Sequence, residues 1–339
     1  MSLQIKLPVF KLPFLAFYAI VKQMDMKSLF VLIFCSKKTA NVVKRCRIEL
    51  KFFEFFTLCE PCKLRVCTLP DMLMIDSQLA YLPDSSIFIN FTNYSPFSND
   101  FELKSYKING NEIRISLPHP TTRENAWSWN QNATEGLKVL ADYLLDIFPT
   151  SKLTHMMIKY ETIDLLYKYG VSDTLELYGI PPVDFTFESP LKFKKKLYIE
   201  CASWLTGEQL LAIDAPQIHL YPYGCQNLRN KDINVYIKKW MASEDKTLEC
   251  FKCRVELEIS SVLEGLATKP WDPEKRSGCW NTSITESITC NDSMCFDVQR
   301  EDGLLATIKY HSSYFHLLVW HNPFPTVFPK FIGPSVKDV

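Results

Sequence analysis

Glycine is scarce in this 339-residue chain, 10 in all, where ~7% is usual. No Gly-rich loop is available to wrap a phosphate, which sets aside Walker and dinucleotide-binding fingerprints. Net charge is missing as well. The 38 basic and 38 acidic side chains cancel, so nucleic acid has no overall electrostatic hold on the chain. No stretch reaches the ~18 uninterrupted apolar residues of a membrane span. Neither an H-E-x-x-H helix motif nor a G-x-S-x-G elbow occurs, so two common routes to hydrolysis have no signature here. What the chain does hold is 47% hydrophobic and 13% aromatic residues, the composition of a folded protein long enough for two or three domains.

Residues 7–45 are the most patterned part. Leu12-Pro13 opens a run in which Phe14, Phe17, Tyr18 and Val21 recur at helical spacing, while Leu15, Ala19 and Ile20 fill a second face. Asp25 is placed to cap a second helix whose stripe is Leu29, Leu32 and Ile33. Ser36 is placed to cap a third, with Ala40 and Val43 turned inward. So short a segment cannot bury two apolar faces alone, so a partner or the rest of the chain must cover them.

Further on, residues 46–117 read as a strand-rich segment: Arg47–Phe53, Leu64–Thr68, Ile87–Phe91, Leu103–Ile108 and Glu112–Leu117, the last two joined by an Asn109-Gly110 hairpin turn. A polar stretch, Pro118–Gln131, is the expected joint. Beyond it an amphipathic helix over Thr134–Phe148 precedes strands at Leu175–Tyr178, Leu197–Glu200 and Ile218–Tyr221, starting 22 and 21 residues apart. Helices are expected at Thr206–Ala212 and Asp232–Met241, with Trp240 as a core residue. That period lies in the leucine-rich-repeat range, and parallel α/β layering satisfies it equally. A strand at Leu248–Val255 follows, and Cys295–Arg300, Gly303–Tyr310 and Phe315–His321 close the chain as an antiparallel meander.

The Leu-Pro opener, three short apolar helices and the Ser36-Lys37-Lys38-Thr39 turn resemble the F-box, in the leaner form of nematode F-box proteins. Leu15 stands where many F-boxes carry an acidic residue. The run over 204–257, with Leu210-Leu211-Ala212-Ile213-Asp214 and Asp232-Ile233-Asn234 leading to Ile237-Lys238-Lys239-Trp240, resembles the type-2 F-box-associated (FBA) region of the same proteins. The fold so implied is α+β. A three-helix F-box at 7–45 is followed by a mixed α/β, leucine-rich-repeat-like region with a C-terminal meander, the F-box-associated part running over 132–339. The resemblance implies a substrate-recognition subunit of an SCF-type (Skp–cullin–F-box) E3 ubiquitin ligase. Its F-box would bind a Skp-type adaptor, and through it a cullin-RING ligase, by way of Leu12, Pro13, Phe14, Ile20, Leu29 and Leu32. The C-terminal region would hold a target protein. No catalytic residue, cofactor or metal is expected, nor any nucleic-acid or membrane partner, and the location is intracellular, cytoplasmic or nuclear.

The cysteines and asparagines support a different reading. Lys6 and Lys11 precede a ten-residue apolar run, five N-x-S/T sequons occur at Asn90, Asn93, Asn132, Asn281 and Asn291, and the cysteines number an even 12. Those features fit a secreted, disulfide-bonded glycoprotein or adhesion domain. Against it, Lys22-Gln23-Met24-Asp25 follows the run in place of a small-residue cleavage site. Two C-x-x-C pairs, Cys59/Cys62 and Cys250/Cys253, have zinc-like spacing, but Cys250 and Cys253 fall on a strand, where residues three apart face opposite ways. His311, His316 and His321, five apart, are expected to alternate between faces of the C-terminal strands. The basic run Lys192, Lys194, Lys195 and Lys196 reads as a solvated strand face.

Overall fold

The structure, a computed structural model, describes residues 12–50, 52–57, 62–67, 86–92, 103–108, 110–116, 126–129, 133–187, 191–221, 223–281 and 287–324. Residues 7–11 of the N-terminal module and Cys59 lie outside them. The chain is mixed α+β and divides into two compact units, Met1–Ser172 and Asp173–Val339.

The first unit begins with three helices, α1 (Phe14–Gln23), α2 (Met26–Cys35) and α3 (Lys37–Arg45). Pro13 precedes the first, where its lack of an N–H costs nothing. The Asp25 side chain accepts from the Ser28 N–H at 2.7 Å and Ser36 from the Thr39 N–H at 3.1 Å, so both expected caps form. Ala40 and Val43 turn inward. Strands β1 (Phe52–Phe56), β2 (Cys62–Cys67), β3 (Ser86–Thr92), β4 (Leu103–Ile108), β5 (Asn111–Ser116) and β6 (Ala126–Trp129) follow, then α4 (Ala133–Ile147), β7 (His155–Lys159) and α5 (Asp164–Tyr169). Strand β1 starts later than the expected Arg47, because Arg47 takes a left-handed φ of 48° that breaks extended geometry. The order across this unit's sheet is β7-β1-β2-β3-β6-β5-β4, with β1–β7 and β3–β6 parallel. Gly110, at φ 87°, turns β4 into β5 with Ile108 opposite Asn111, as the Asn-Gly signal predicts.

One expectation changes here. The joint expected over 118–131 holds β6, paired to β3 and β5, and α4 packs its Leu137, Leu140, Ala141 and Leu144 face into the same unit. The division falls after Ser172 instead. Cover for α2 comes in part from the chain itself, one of the two possibilities the pattern allows: the Tyr143 hydroxyl donates to the Ile33 carbonyl at 3.0 Å, and the Phe34 ring meets Tyr106 edge-on and Tyr143 at a tilt.

The second unit contains β8 (Thr174–Tyr178), β9 (Lys196–Ile199), α6 (Gly207–Ala212), β10 (Gln217–Leu220), α7 (Asn230–Ala242), β11 (Cys250–Arg254) and α8 (Ile259–Val262). A small hairpin, β12 (Cys279–Asn281) and β13 (Ser287–Thr289), precedes β14 (Cys295–Gln299), β15 (Leu305–His311) and β16 (Tyr314–Trp320). Strands β8, β9, β10 and β11 run parallel and in register, and β16, β15 and β14 continue the sheet antiparallel. The starts at 174, 196, 217 and 250 show steps of 22, 21 and then 33 residues, so the short period does not extend to the fourth strand. One face stacks Leu175, Leu197, Ile218 and Phe251, with Leu177, Ile199, Leu220 and Cys253 beside them, all buried. Helix α7 seals that face: Ile233, Ile237 and Trp240 are buried, and Tyr236 lies 4.8 Å from the Phe251 ring. A capping box between Thr206 and Gln209 starts α6.

Candidate functional site

Alternation along each strand sends every second side chain to the opposite face of this second sheet. In-register pairing then lines those side chains up across it. One row runs Glu176, Tyr198, His219, Lys252, His316, Lys309 and Cys295, each opposite the next. Beyond it lie Tyr178, Tyr221, Arg254, Tyr314 and His311, where Arg254 faces Tyr314 and Tyr314 faces His311. On this face Tyr314 is 36% exposed.

The rings touch in sequence. Tyr178 and Tyr198 are 5.0 Å apart, Tyr198 and Tyr221 5.9 Å, and Tyr221 and Tyr314 6.4 Å, while His219 stacks on Tyr221 at 5.7 Å. Cations sit against them, with Lys196 Nζ 5.4 Å from the Tyr198 ring and Arg254 5.9 Å from Tyr314. Tyr178 donates to Glu176 at 2.8 Å, and Lys196 pairs with the same carboxylate at 3.1 Å. Burial, reinforced by Glu200 and Glu176, pushes the Tyr198 phenol up to about 12, so it remains a hydrogen-bond donor at neutral pH. Burial lowers His219 to about 2, helped by Lys252 and Lys196. His316 falls to about 4 for the same reason, helped by Lys252 and Lys309. Both imidazoles are therefore neutral, and lysine and arginine set the positive charge of this end of the face. Aromatic bodies with polar tips and arginine are the residue types that dominate protein-binding hot spots.

The remainder of the same face is covered by the segment before β14. Arg276, fully buried, donates to both Asp297 oxygens at 2.8–3.0 Å and to the Cys290 carbonyl at 2.8 Å. Thr307 donates to Asp297 and Trp320 Nε1 to Thr307, each at 2.8 Å. Trp280 Nε1 donates to the Val319 carbonyl at 3.0 Å and its ring joins Cys250, Cys290, Cys295, Leu318 and Trp320 in an apolar cluster. The clamp closes that half of the sheet and leaves the tyrosine half open.

None of the tyrosines was a predicted site residue, although the alternation in Leu175-Glu176-Leu177-Tyr178 and Ile218-His219-Leu220-Tyr221 signals them. Of the six N-terminal residues expected to meet an adaptor, Phe14 and Ile20 are each 44% exposed, Pro13 is exposed, and Leu12 and Leu32 are half-buried. Leu29 has no exposed surface and packs inside the unit. Leu15, beside them on α1, is 77% exposed. His311 and His316 share the tyrosine face, against the alternation expected from their spacing, because the turn at Ser312-Ser313 lies between them and reverses the strand. Cys250 and Cys253 do face opposite ways: Cys250 lies 3.4 Å from His219 Nε2, while Cys253 is in the buried ladder. Cys35, Cys46, Cys201, Cys225, Cys250, Cys253, Cys279, Cys290 and Cys295 are free thiols, and among the described residues no cluster of histidine, cysteine or acidic groups could hold a metal ion. Trp240 is buried, with the Arg300 guanidinium 5.4 Å from its ring.

Residues 189–253 match the family model described as F-box associated. The matched F-box associated segment contains β9, α6, β10, α7 and nearly all of β11, and so supplies Tyr198, His219, Tyr221 and Lys252. Tyr314, His316 and Lys309 lie beyond it. The chain is 24% identical to uncharacterized protein F59B2.8 of Caenorhabditis elegans, across 88% of this chain and 81% of that one. It is 28% identical to uncharacterized protein F59B2.9 of the same organism, across 43% of this chain and 36% of the relative, little more than a third of that relative's length. No solved structure matches.

Proposed function

We propose that the chain is a substrate receptor of an SCF-type ubiquitin ligase, holding its target on the tyrosine-rich face of the second unit. The supporting observation is the F-box associated match in the segment that builds the centre of that face. The resemblance of residues 7–45 to an F-box supplies the other half of the reading. Helix α1 leaves Phe14, Leu15 and Ile20 exposed, an apolar patch suited to helix-on-helix contact with a Skp-type adaptor. Leu12, Pro13 and Leu32 extend the same proposal, while Leu29 supports the patch from inside. In this reading the chain carries no chemistry of its own. It raises the local concentration of a target beside the charged conjugating enzyme, and it works in the cytoplasm or nucleus. Among the described residues no helix is long and apolar enough to cross a membrane.

The test is affinity recovery of the full chain with a Skp-type adaptor and cullin. Phe14→Glu combined with Ile20→Glu is expected to abolish recovery with the thermal midpoint unchanged, since both side chains are already half in water. Undiminished recovery by the folded double variant overturns the adaptor assignment.

A further inference from the structure

In the second unit the thiols of Cys225 and Cys253 hydrogen-bond to one another, and so do those of Cys290 and Cys295. All four residues are buried, but the backbone above them differs. Cys253 belongs to the ladder that α7 seals. Cys290 and Cys295 instead bracket the turn 291–294, whose four residues are all exposed. The Cys295 N–H donates to the Asp292 carbonyl at 3.1 Å, and the Cys295 thiol to the Asp292 carboxylate at 3.3 Å. The Cys290 thiol has two acceptors in reach, the Ile288 carbonyl at 3.2 Å and the Cys295 sulfur. The approach to the turn is pinned from outside. Arg276 donates to the Cys290 carbonyl at 2.8 Å, and Lys309 to the Thr289 carbonyl at 2.6 Å and to Asp292 at 2.9 Å. The hydrogen bond from Cys290 holds the Cys295 thiol below the ordinary thiol range, and the same contact raises Cys290. Cys295 is therefore the first of the two to ionise, and the thiolate is the reactive form.

We propose that Cys290 and Cys295 form a reversible redox site, oxidised by hydrogen peroxide to a disulfide across the 291–294 turn while Cys225 and Cys253 stay reduced. Sulfur atoms already in contact need little backbone movement to join. Access separates the two pairs: opening four exposed residues disturbs few contacts, whereas reaching Cys253 means lifting the cover from the buried ladder. In the first step the Cys295 thiolate attacks one peroxide oxygen. An S–O bond forms, the O–O bond breaks, and the departing hydroxide takes up the proton that Cys295 released, giving water. Cys290 then gives up its proton and its sulfur attacks the Cys295 sulfur. The S–S bond forms, the S–O bond breaks, and hydroxide leaves with that proton as a second water. Two thiols are oxidised to one disulfide, and one peroxide is reduced to two waters. The bond ties the end of β13 to the start of β14 and closes the turn that carries Asp292. A thiol reductant reverses it by exchange.

The experiment exposes the reduced full chain to hydrogen peroxide, alkylates the remaining thiols after unfolding, and maps the cysteines by mass spectrometry. Cleavage before Asp292 leaves the Cys290 and Cys295 peptides joined only through a disulfide. Linked peptides that dithiothreitol separates are expected, with Cys225 and Cys253 alkylated. Met294, 38% exposed in the same turn, gauges delivery of the oxidant, because its sulfoxide shows that peroxide has reached the turn. In Cys290→Ser a hydroxyl replaces the donor but no second sulfur resolves the intermediate. Dimedone, which traps sulfenic acid, should then label Cys295, whereas Cys295→Ser should leave Cys290 unlabelled. Full alkylation of Cys290 and Cys295 once Met294 is oxidised, linkage of either to another cysteine, or equal oxidation of Cys225 and Cys253 overturns the proposal. Label on Cys290 in Cys295→Ser with none on Cys295 in Cys290→Ser overturns the order of attack. The map of the parent chain decides the site even where a variant fails to fold.

Discussion

Arg276 heads the fully buried side chains of the second unit, and its cost is met locally by two Asp297 oxygens, two carbonyls and the Trp320 ring at 4.9 Å. Removing one partner of such a pair strands the other as an uncompensated charge. Arg276→Ala is therefore expected to destabilise the second unit by about 3–5 kcal/mol, read as a lower urea midpoint. Arg276→Met, which fills the volume, still strands Asp297 and should not rescue it. The two neutral histidines make a different claim at this scale. An unfolded chain protonates histidine below pH ~6.5, whereas folded His316 and His219 resist until about 4 and about 2. The folded state then binds fewer protons between those limits. Stability is fully present above pH 6.5 and falls as pH drops toward 4, by about 1.4 kcal/mol per pH unit for each histidine. Urea titrations from pH 7 to 4.5 on the parent chain and on His219→Gln check this, the variant being expected to show a slope smaller by one proton.

Among elements, the parallel ladder depends on tight returns from strand to helix. After β10 the chain bends at Gly224, whose φ is 88° and whose missing Cβ would lie 2.9 Å from the Arg254 carbonyl oxygen. That same oxygen accepts from the Cys225 N–H at 2.9 Å. A side chain here meets both a left-handed backbone and a backbone atom that cannot move aside without breaking a bond. Gly224→Ala is expected to cost about 1–3 kcal/mol, seen as a reduced thermal midpoint, while Gly303→Ala, with φ 88° but open space around it, should cost less. Helix α7 illustrates the opposite case, an element set by pattern alone. Its Ile233, Ile237 and Trp240 stripe is a helical period that only one face of a sheet can receive.

For the molecule as a whole, the division after Ser172 leaves each unit with its own core. The buried ladder, α7 and the Arg276 clamp all lie within 173–339, and a segment of that size can bury a sufficient core. Expressed alone, residues 173–339 are expected to unfold cooperatively and to keep protected amides in β10, β11 and β16 by hydrogen exchange. Non-cooperative melting would contradict this. Most of the elements were legible in the residues, because hydrophobic period and caps are local properties. The hairpin at Gly110, the caps Asp25 and Ser36, the helices α4, α6 and α7 and the closing meander all follow from neighbours a few positions apart. Strand β6 was hidden by its polar surroundings, and the unit boundary by the fact that contacts of α4 are made far along the chain. The tyrosine face was half-visible: alternation marks each side chain as pointing away from the core, yet β8 to β11 and the β15–β16 hairpin lie far apart in sequence. Which strands become neighbours, and in what register, is fixed by the packing of whole elements, and that long-range pairing is what brings separate lysines and histidines onto one face.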